Sequence, residues 1–265
     1  MTASSTTLAG VWRDGDPPGQ RQFVELPGMS LERGGELPGA RLAYETWGRL
    51  APGRDNAVLV LHALSGDSHV AGDAGPGHPT PGWWQGVVGS QLGIDTDRWF
   101  VVCPNVLGGC QGSTGPSSPA PDGRPWGSRW PTITIRDQVA AEVPLADVLG
   151  VRAWAAVVGG SMGGMRALEW ALCQPHRVRR ALIFAVAVEA SADQIGTCRV
   201  QIDAIRADPN WHNGDYYDAP TSPVTGMAIA RRIAHLTYRC AAEVDTRFGR
   251  AAATGGDPLS EGFAV

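Results

Sequence analysis

The run Val157-Val158-Gly159-Gly160-Ser161-Met162-Gly163-Gly164 constrains this chain more than any other stretch. It reads as a buried strand, a sharp turn with a serine at its tip, and the start of a helix. Residues 153–158 are almost wholly apolar, as a strand covered on both faces of a parallel sheet requires. Residues 162–174 follow as a helix closed by Pro175. Glycines beside the serine carry no Cβ, so strand and helix can approach closely while the serine occupies a strained turn with its hydroxyl exposed. The helix N-terminus beneath it favours a developing negative charge. In a chain with 35 glycines among 265 residues the G-x-S-x-G spacing alone carries little weight. The strand–turn–helix setting is what makes Ser161 a candidate nucleophile, and acyl transfer through a serine ester the candidate chemistry.

The rest of the chain alternates strands and helices up to residue 188. Strands are expected at 21–26, Ala40–Trp47, Ala57–Leu61, 99–103, 153–158 and 180–188, the first two as an antiparallel lead-in and the last as a buried strand. A helix is expected over 135–149, kinked or divided by Pro144. This pattern predicts a mostly parallel α/β sheet. The long segments 62–98 and 105–130 both follow strands, which puts them at the carboxyl edge, where open α/β sheets bind ligands. From Glu189 the strands stop, and 190–207 and 224–240 read as helices. The division expected is a loose N-terminal arm (1–20), a sheet-bearing core (21–189) and a helical insertion (190–265).

An elbow of this kind needs two backbone donors for the oxyanion. One is the N–H of the residue after the nucleophile, Met162; the other comes from the loop after an earlier strand, where Leu64 is the candidate. Composition removes other chemistries. All 22 basic residues are arginine, so Schiff-base catalysis and lysine-dependent phosphate loops are excluded. The six histidines form no metal-binding spacing, so no metal site is expected. A formal charge of −4 gives no reason to expect nucleic acid or an anionic membrane as partner. No apolar run reaches the length of a membrane span, and the N-terminus lacks the pattern of a signal peptide. Five scattered cysteines without a CxxC pair fit a reducing cytoplasm.

Seven blocks carry a resemblance: LHALSGDSHVAG, GHPTPGWW, NVLGGCQGSTGPSS, PWGSRWP, VVGGSMGGMRALEWA, SADQIGT and RRIAHLTYR. From about Glu45 onward the chain resembles the homoserine O-acetyltransferases of the α/β-hydrolase superfamily. The resemblance implies an α/β-hydrolase-type sheet with a helical lid. It implies ping-pong transfer of acetyl from acetyl-CoA, through an ester on Ser161, to the hydroxyl of L-homoserine in methionine biosynthesis, with no bound cofactor. It also implies a homodimer joined by lid helices, and Arg231 and Tyr238 as residues that hold the amino acid. A guanidinium suits that role because it can clamp an α-carboxylate through two parallel hydrogen bonds. Arg231 and Arg232 are adjacent and point different ways on a helix, so one of them is an ordinary surface arginine. Tyr238 is equally readable as a core-edge tyrosine.

The chain departs from the family pattern in one respect. In this architecture the acid and the histidine follow the serine. His62, His69 and His78 precede it, His176 follows the elbow helix, and His212 and His235 lie in the lid, so residue order favours none as the base. The triad Asp and His are therefore expected outside this chain, together with the last strands of the core, and the 265 residues alone are expected to be inactive. Rival readings are a succinyl donor or a serine acceptor on the same fold, a plain serine esterase, and a non-catalytic remnant.

Overall fold

A computed structural model describes residues 11–252 and Asp257, and the described chain divides after Val188 into two compact units. The first unit is built on a six-stranded sheet. Its strands are β1 (Gln22–Leu26), β2 (Ala40–Trp47), β3 (Ala57–Leu61), β4 (Phe100–Pro104), β5 (Ala156–Gly160) and β6 (Ala181–Phe184), in the spatial order β1-β2-β4-β3-β5-β6. The β1–β2 and β2–β4 pairs are antiparallel; β4–β3, β3–β5 and β5–β6 are parallel. This is the mostly parallel α/β sheet with an antiparallel lead-in that the alternation predicts.

Strand β3, Ala-Val-Leu-Val-Leu, is buried at all five positions. Its period of two sends Leu59 and Leu61 to one face, where they join Val157, Leu145, Trp154 and Trp170. Val58 and Val60 go to the other face, with Val101, Cys103, Val70 and Val88. Helix α1 (Ile135–Val148) begins at Thr134, whose side chain and that of Asp137 form a reciprocal capping box. The expected division at Pro144 is not found. One helix runs through it, because proline removes a single N–H while Glu142, Leu145 and Ala146 on either side stay anchored in the core. Helix α2 (Met162–Cys173) follows β5.

Two expectations need correction. The elbow strand lies at Ala156–Gly160 rather than 153–158, because Trp154 pairs instead with Val178 in an isolated bridge. The last strand, read as buried over 180–188, is Ala181–Phe184 and all four residues are exposed. Apolar composition marks a strand meant for burial, but β6 has a neighbour only on its β5 side. Residues 11–20 of the expected arm lie against the core: Trp12 N–H donates to Cys110 O, its ring meets Phe23, and Gln20 N–H reaches His78.

The second unit holds α3 (Ala192–Arg206), α4 (Val224–Tyr238) and α5 (Ala241–Phe248), the last not foreseen from sequence. Ser191 and Gln194 cap α3 reciprocally. The Asp208 carboxylate accepts N–H bonds from Asn210 and Gly226, tying the α3–α4 connection together.

Candidate active site

After β3 the chain crosses to β4 on one side, and later reaches β5 on the other. The carboxyl end of β3 is thus the switch point where a ligand crevice is expected in such sheets. Ser161 stands there, at the junction of β5 and α2, with φ 55° and ψ −128°. A serine in this region is strained, at a cost of about 1–3 kcal/mol, and is held only because its surroundings over-determine it. Its N–H bonds to Phe184 O at 3.2 Å, and its carbonyl accepts the Met165 N–H at 3.1 Å. The glycines explain how the turn fits. A Cβ on Gly163 would run into the carbonyl of Leu61, and one on Gly159 into the carbonyl of Gly163. Strand, turn and helix are therefore in backbone contact, and Ser161 is left exposed.

A cavity of about 360 Å³ opens beside Ser161. Leu61, Ala63, Ser65 and Gly66 line it from β3 and the turn after it, and Trp83 and Trp84 from the long loop. Gly160, Phe184 and Ala185 complete the wall, and Trp84 stacks on Phe184 with centroids 5.7 Å apart. No Asp, Glu, His or Arg is among these lining residues. Sequence reasoning did not place Trp83, Trp84, Phe184 or Ala185 at the site. Ala185, with φ 53°, directly follows β6 at the same sheet edge, and that position was the available signal.

Leu64 occupies the turn Ala63–Gly66, closed by the Gly66 N–H on Ala63 O at 2.9 Å. Its side chain is 79% exposed, so what the turn offers is backbone. The Leu64 N–H makes no hydrogen bond among the described residues, and Met162, at the first position of α2, has no intrahelical acceptor for its own. Among the described residues both expected oxyanion donors are thus uncommitted.

Behind the turn lies a buried polar network. The His62 ring donates from Nδ1 to Ala63 O at 2.7 Å and accepts the Val106 N–H on Nε2 at 3.0 Å. Burial and the nearby Arg166 charge lower its pKa to about 3, so it stays neutral at ordinary pH. Arg166, on α2 and fully buried, donates to Glu142 and through Nη1 to His62 O at 3.3 Å. Trp170 Nε1–H donates to the other Glu142 oxygen at 2.6 Å. Sequence order had set His62 aside as the base; its hydrogen bonds show both ring nitrogens already engaged.

His69 and His78 are also buried, around Glu45 of β2. Glu45 meets His69 Nδ1 at 2.9 Å, Ser68 Oγ at 2.8 Å and His78 Nε2 at 3.6 Å. Burial raises the Glu45 carboxyl above its ordinary value; burial, together with the Arg21 and His69 charges, lowers His78 to about 4. Among the described residues these three side chains are the one group close enough to share a metal ion. Their geometry serves one poorly: the two rings stack 10° from parallel at 3.7 Å, so their lone pairs run side by side, and His78 Nε2 already accepts the Gln20 N–H. The cluster instead pins the long loop, since the next residues bring Trp83 and Trp84 onto His69 O and Val70 O.

His176 lies in the turn Pro175–Arg177 beyond the far end of α2. His212 and His235 belong to the second unit, as do Arg231 and Tyr238. The last two are exposed on α4, seven residues apart, and therefore share one helix face. The Tyr238 ring packs beside His235 and under the Arg239 guanidinium.

Residues 56–259 match the family model described as the alpha/beta hydrolase fold. Homoserine O-acetyltransferase of Thermobifida fusca (strain YX) is 66% identical over 267 residues, spanning 100% of this chain and 70% of that protein. The homoserine O-acetyltransferase of Clavibacter michiganensis subsp. michiganensis is 57% identical over 255 residues, 96% of this chain and 66% of its own length. Among solved structures, homoserine O-acetyltransferase from Bacillus anthracis superposes with TM-score 0.78 at 29% identity, over 87% of this chain and 63% of that one. Esterase E22 superposes with TM-score 0.78 at 30% identity, over 85% and 63%. The chain thus spans about two thirds of the length of these relatives.

Proposed function

Because the chain belongs to the alpha/beta-hydrolase-fold family of homoserine O-acetyltransferases, we propose that it carries the nucleophile and oxyanion half of an acetyl-transfer site. The observation behind this reading is the strained, exposed Ser161 beside an apolar cavity, with the Met162 N–H uncommitted at the helix start and the Leu64 N–H uncommitted in a turn of the cavity wall. Ser161 Oγ attacks the acetyl-CoA carbonyl, its proton passes to a base, and the two N–H groups receive the oxyanion. The C–S bond breaks and CoA leaves as the thiol. The homoserine hydroxyl then attacks the acetyl-serine ester, releasing Ser161 and O-acetylhomoserine, a step of methionine biosynthesis.

No base is among the described residues that line the cavity, and the chain order of this architecture puts Asp and His after the serine. We assign both to residues outside this sequence and expect the 265 residues alone not to turn over. Arg231 and Tyr238 are proposed to hold the homoserine carboxylate, and the helical unit from Glu189 to form the lid that joins a homodimer. Acetyl is favoured over succinyl as donor. The relatives at 66% and 57% identity are named for acetyl transfer, which is what supports this choice. The proposed setting is the cytoplasm, where a chain with five scattered cysteines, none of them in a disulfide, stays reduced.

The test compares the chain alone with the chain joined to the segment of the Thermobifida fusca relative that it does not span. CoA release from the joined protein is expected to depend on homoserine and to vanish in Ser161→Ala. Full turnover by the 265 residues alone refutes the placement of the base. Release independent of homoserine means hydrolysis, and no release at all refutes acyl transfer.

A further inference from the structure

The Leu64 N–H belongs to the Ala63–Leu64 peptide, and so does the carbonyl of Ala63. A trans peptide is planar, with its C=O and N–H on opposite edges. Whatever grips the Ala63 oxygen therefore sets the direction of the Leu64 N–H. Two donors grip it: the Gly66 N–H at 2.9 Å and His62 Nδ1 at 2.7 Å. The first already satisfies the carbonyl and closes the turn, so solvation of that oxygen does not require the histidine.

The ring is itself held from both sides. Val106 N–H donates to Nε2, which leaves Nδ1 as the protonated nitrogen and fixes the tautomer. Arg166 Nη1 donates to His62 O, clamping the preceding peptide. Arg166 lies on α2, the helix that starts at the nucleophile, so one network references the turn to the elbow. Ala63, Ser65 and Ser161 line the same cavity wall. A hydrogen bond to the carbonyl also draws electron density along the amide and makes its N–H a stronger donor.

We propose that His62 is the positioning residue of the oxyanion hole: as a neutral Nδ1–H donor it aims and polarises the Ala63–Leu64 peptide that receives the developing charge. This rests on the acyl-transfer reading above, and it explains why a buried histidine sits next to the turn without serving as base. A histidine that only filled the core would change stability and leave the chemical step alone.

Two variants separate these roles in the joined protein. His62→Asn keeps a donor near the position of Nδ1, whereas His62→Leu has none. His62→Leu is expected to lose about 10- to 100-fold in kcat with KM for acetyl-CoA within about two-fold, and His62→Asn to recover most of the loss. An active wild type with an equally fast His62→Leu overturns this inference alone, whereas an inactive wild type overturns the parent reading. Should His62→Leu not fold, nitrogen NMR of His62 in the unaltered chain decides. The expected spectrum has Nδ1 protonated and Nε2 bare from about pH 5 to about pH 8. An Nε2–H tautomer, or titration within that range, refutes the clamp.

Discussion

Replacing Glu142 by leucine should cost more stability than any surface change in this chain, and replacing Arg166 as well should restore part of it. Arg166 is 0% exposed and Glu142 1%. One carboxylate oxygen takes Nε at 2.9 Å and Nη2 at 2.5 Å; the other takes the Trp170 indole N–H at 2.6 Å. Glu142→Leu strands a buried guanidinium, worth about 3–5 kcal/mol, and orphans an indole N–H, worth about 1–3 kcal/mol more. The expected loss of about 4–8 kcal/mol is comparable with the whole stability of a typical domain, about 5–15 kcal/mol. Arg166→Met leaves the carboxylate with only Trp170 and takes the donor from the His62 carbonyl, and should cost about 4–8 kcal/mol. In the double variant Glu142→Leu/Arg166→Met both charges are gone, and the indole N–H and the His62 carbonyl are left without partners, so the loss should fall to about 2–6 kcal/mol. Urea unfolding followed by tryptophan fluorescence measures all four proteins. The reasoning is refuted if the double variant loses the sum of the two single losses to within about 0.5 kcal/mol, the margin for independent sites.

Three further outcomes follow from the site. Ser161→Gly removes a side chain from a position at φ 55° and should raise the unfolding free energy by about 1 kcal/mol, read as a higher urea midpoint, while abolishing acetylation by acetyl-CoA; a lower midpoint would contradict the strain. Gly163→Ala drives a methyl against the Leu61 carbonyl, where backbone on both sides cannot yield, and should cost about 1–3 kcal/mol by the same assay; an unchanged midpoint would show that the elbow gives way. His62 has a folded pKa of about 3 against about 6.5 unfolded, so the unfolded state binds the extra proton between those values. Stability should therefore fall as pH drops from about 6.5 toward about 3 and be level above, and His62→Asn should flatten part of that slope. His78, at about 4, acts in the same direction, while the raised Glu45 opposes both, so the variant is compared with wild type rather than read alone.

The reach of sequence reasoning here follows the range of the interactions involved. The Ser161 turn was legible because its requirements are local: an apolar strand, glycines where backbones touch, and a helix within a few residues. Strand β3 was legible because burial on both faces needs an unbroken apolar run, and the order strand–loop–strand put the long loops at the ligand-binding edge. Ala181–Phe184 shows the limit, since apolar composition cannot tell a central strand from one with a single neighbour. The same holds for Pro144, whose local penalty was outweighed by the packing of Glu142, Leu145 and Ala146.

What only the tertiary structure decided is which distant groups meet. Arg166 finds Glu142 across 24 positions and the His62 carbonyl across 104. Trp84 meets Phe184, and Glu45 gathers His69 and His78. None of these pairings has a spacing rule, because sheet order rather than chain proximity creates them. The sequence by itself determined the candidate nucleophile, Ser161, and the kind of turn that presents it. The walls of its cavity, and the clamp on the peptide expected to face the charge, came from the path by which β3, β4 and β5 bring remote loops to one sheet edge.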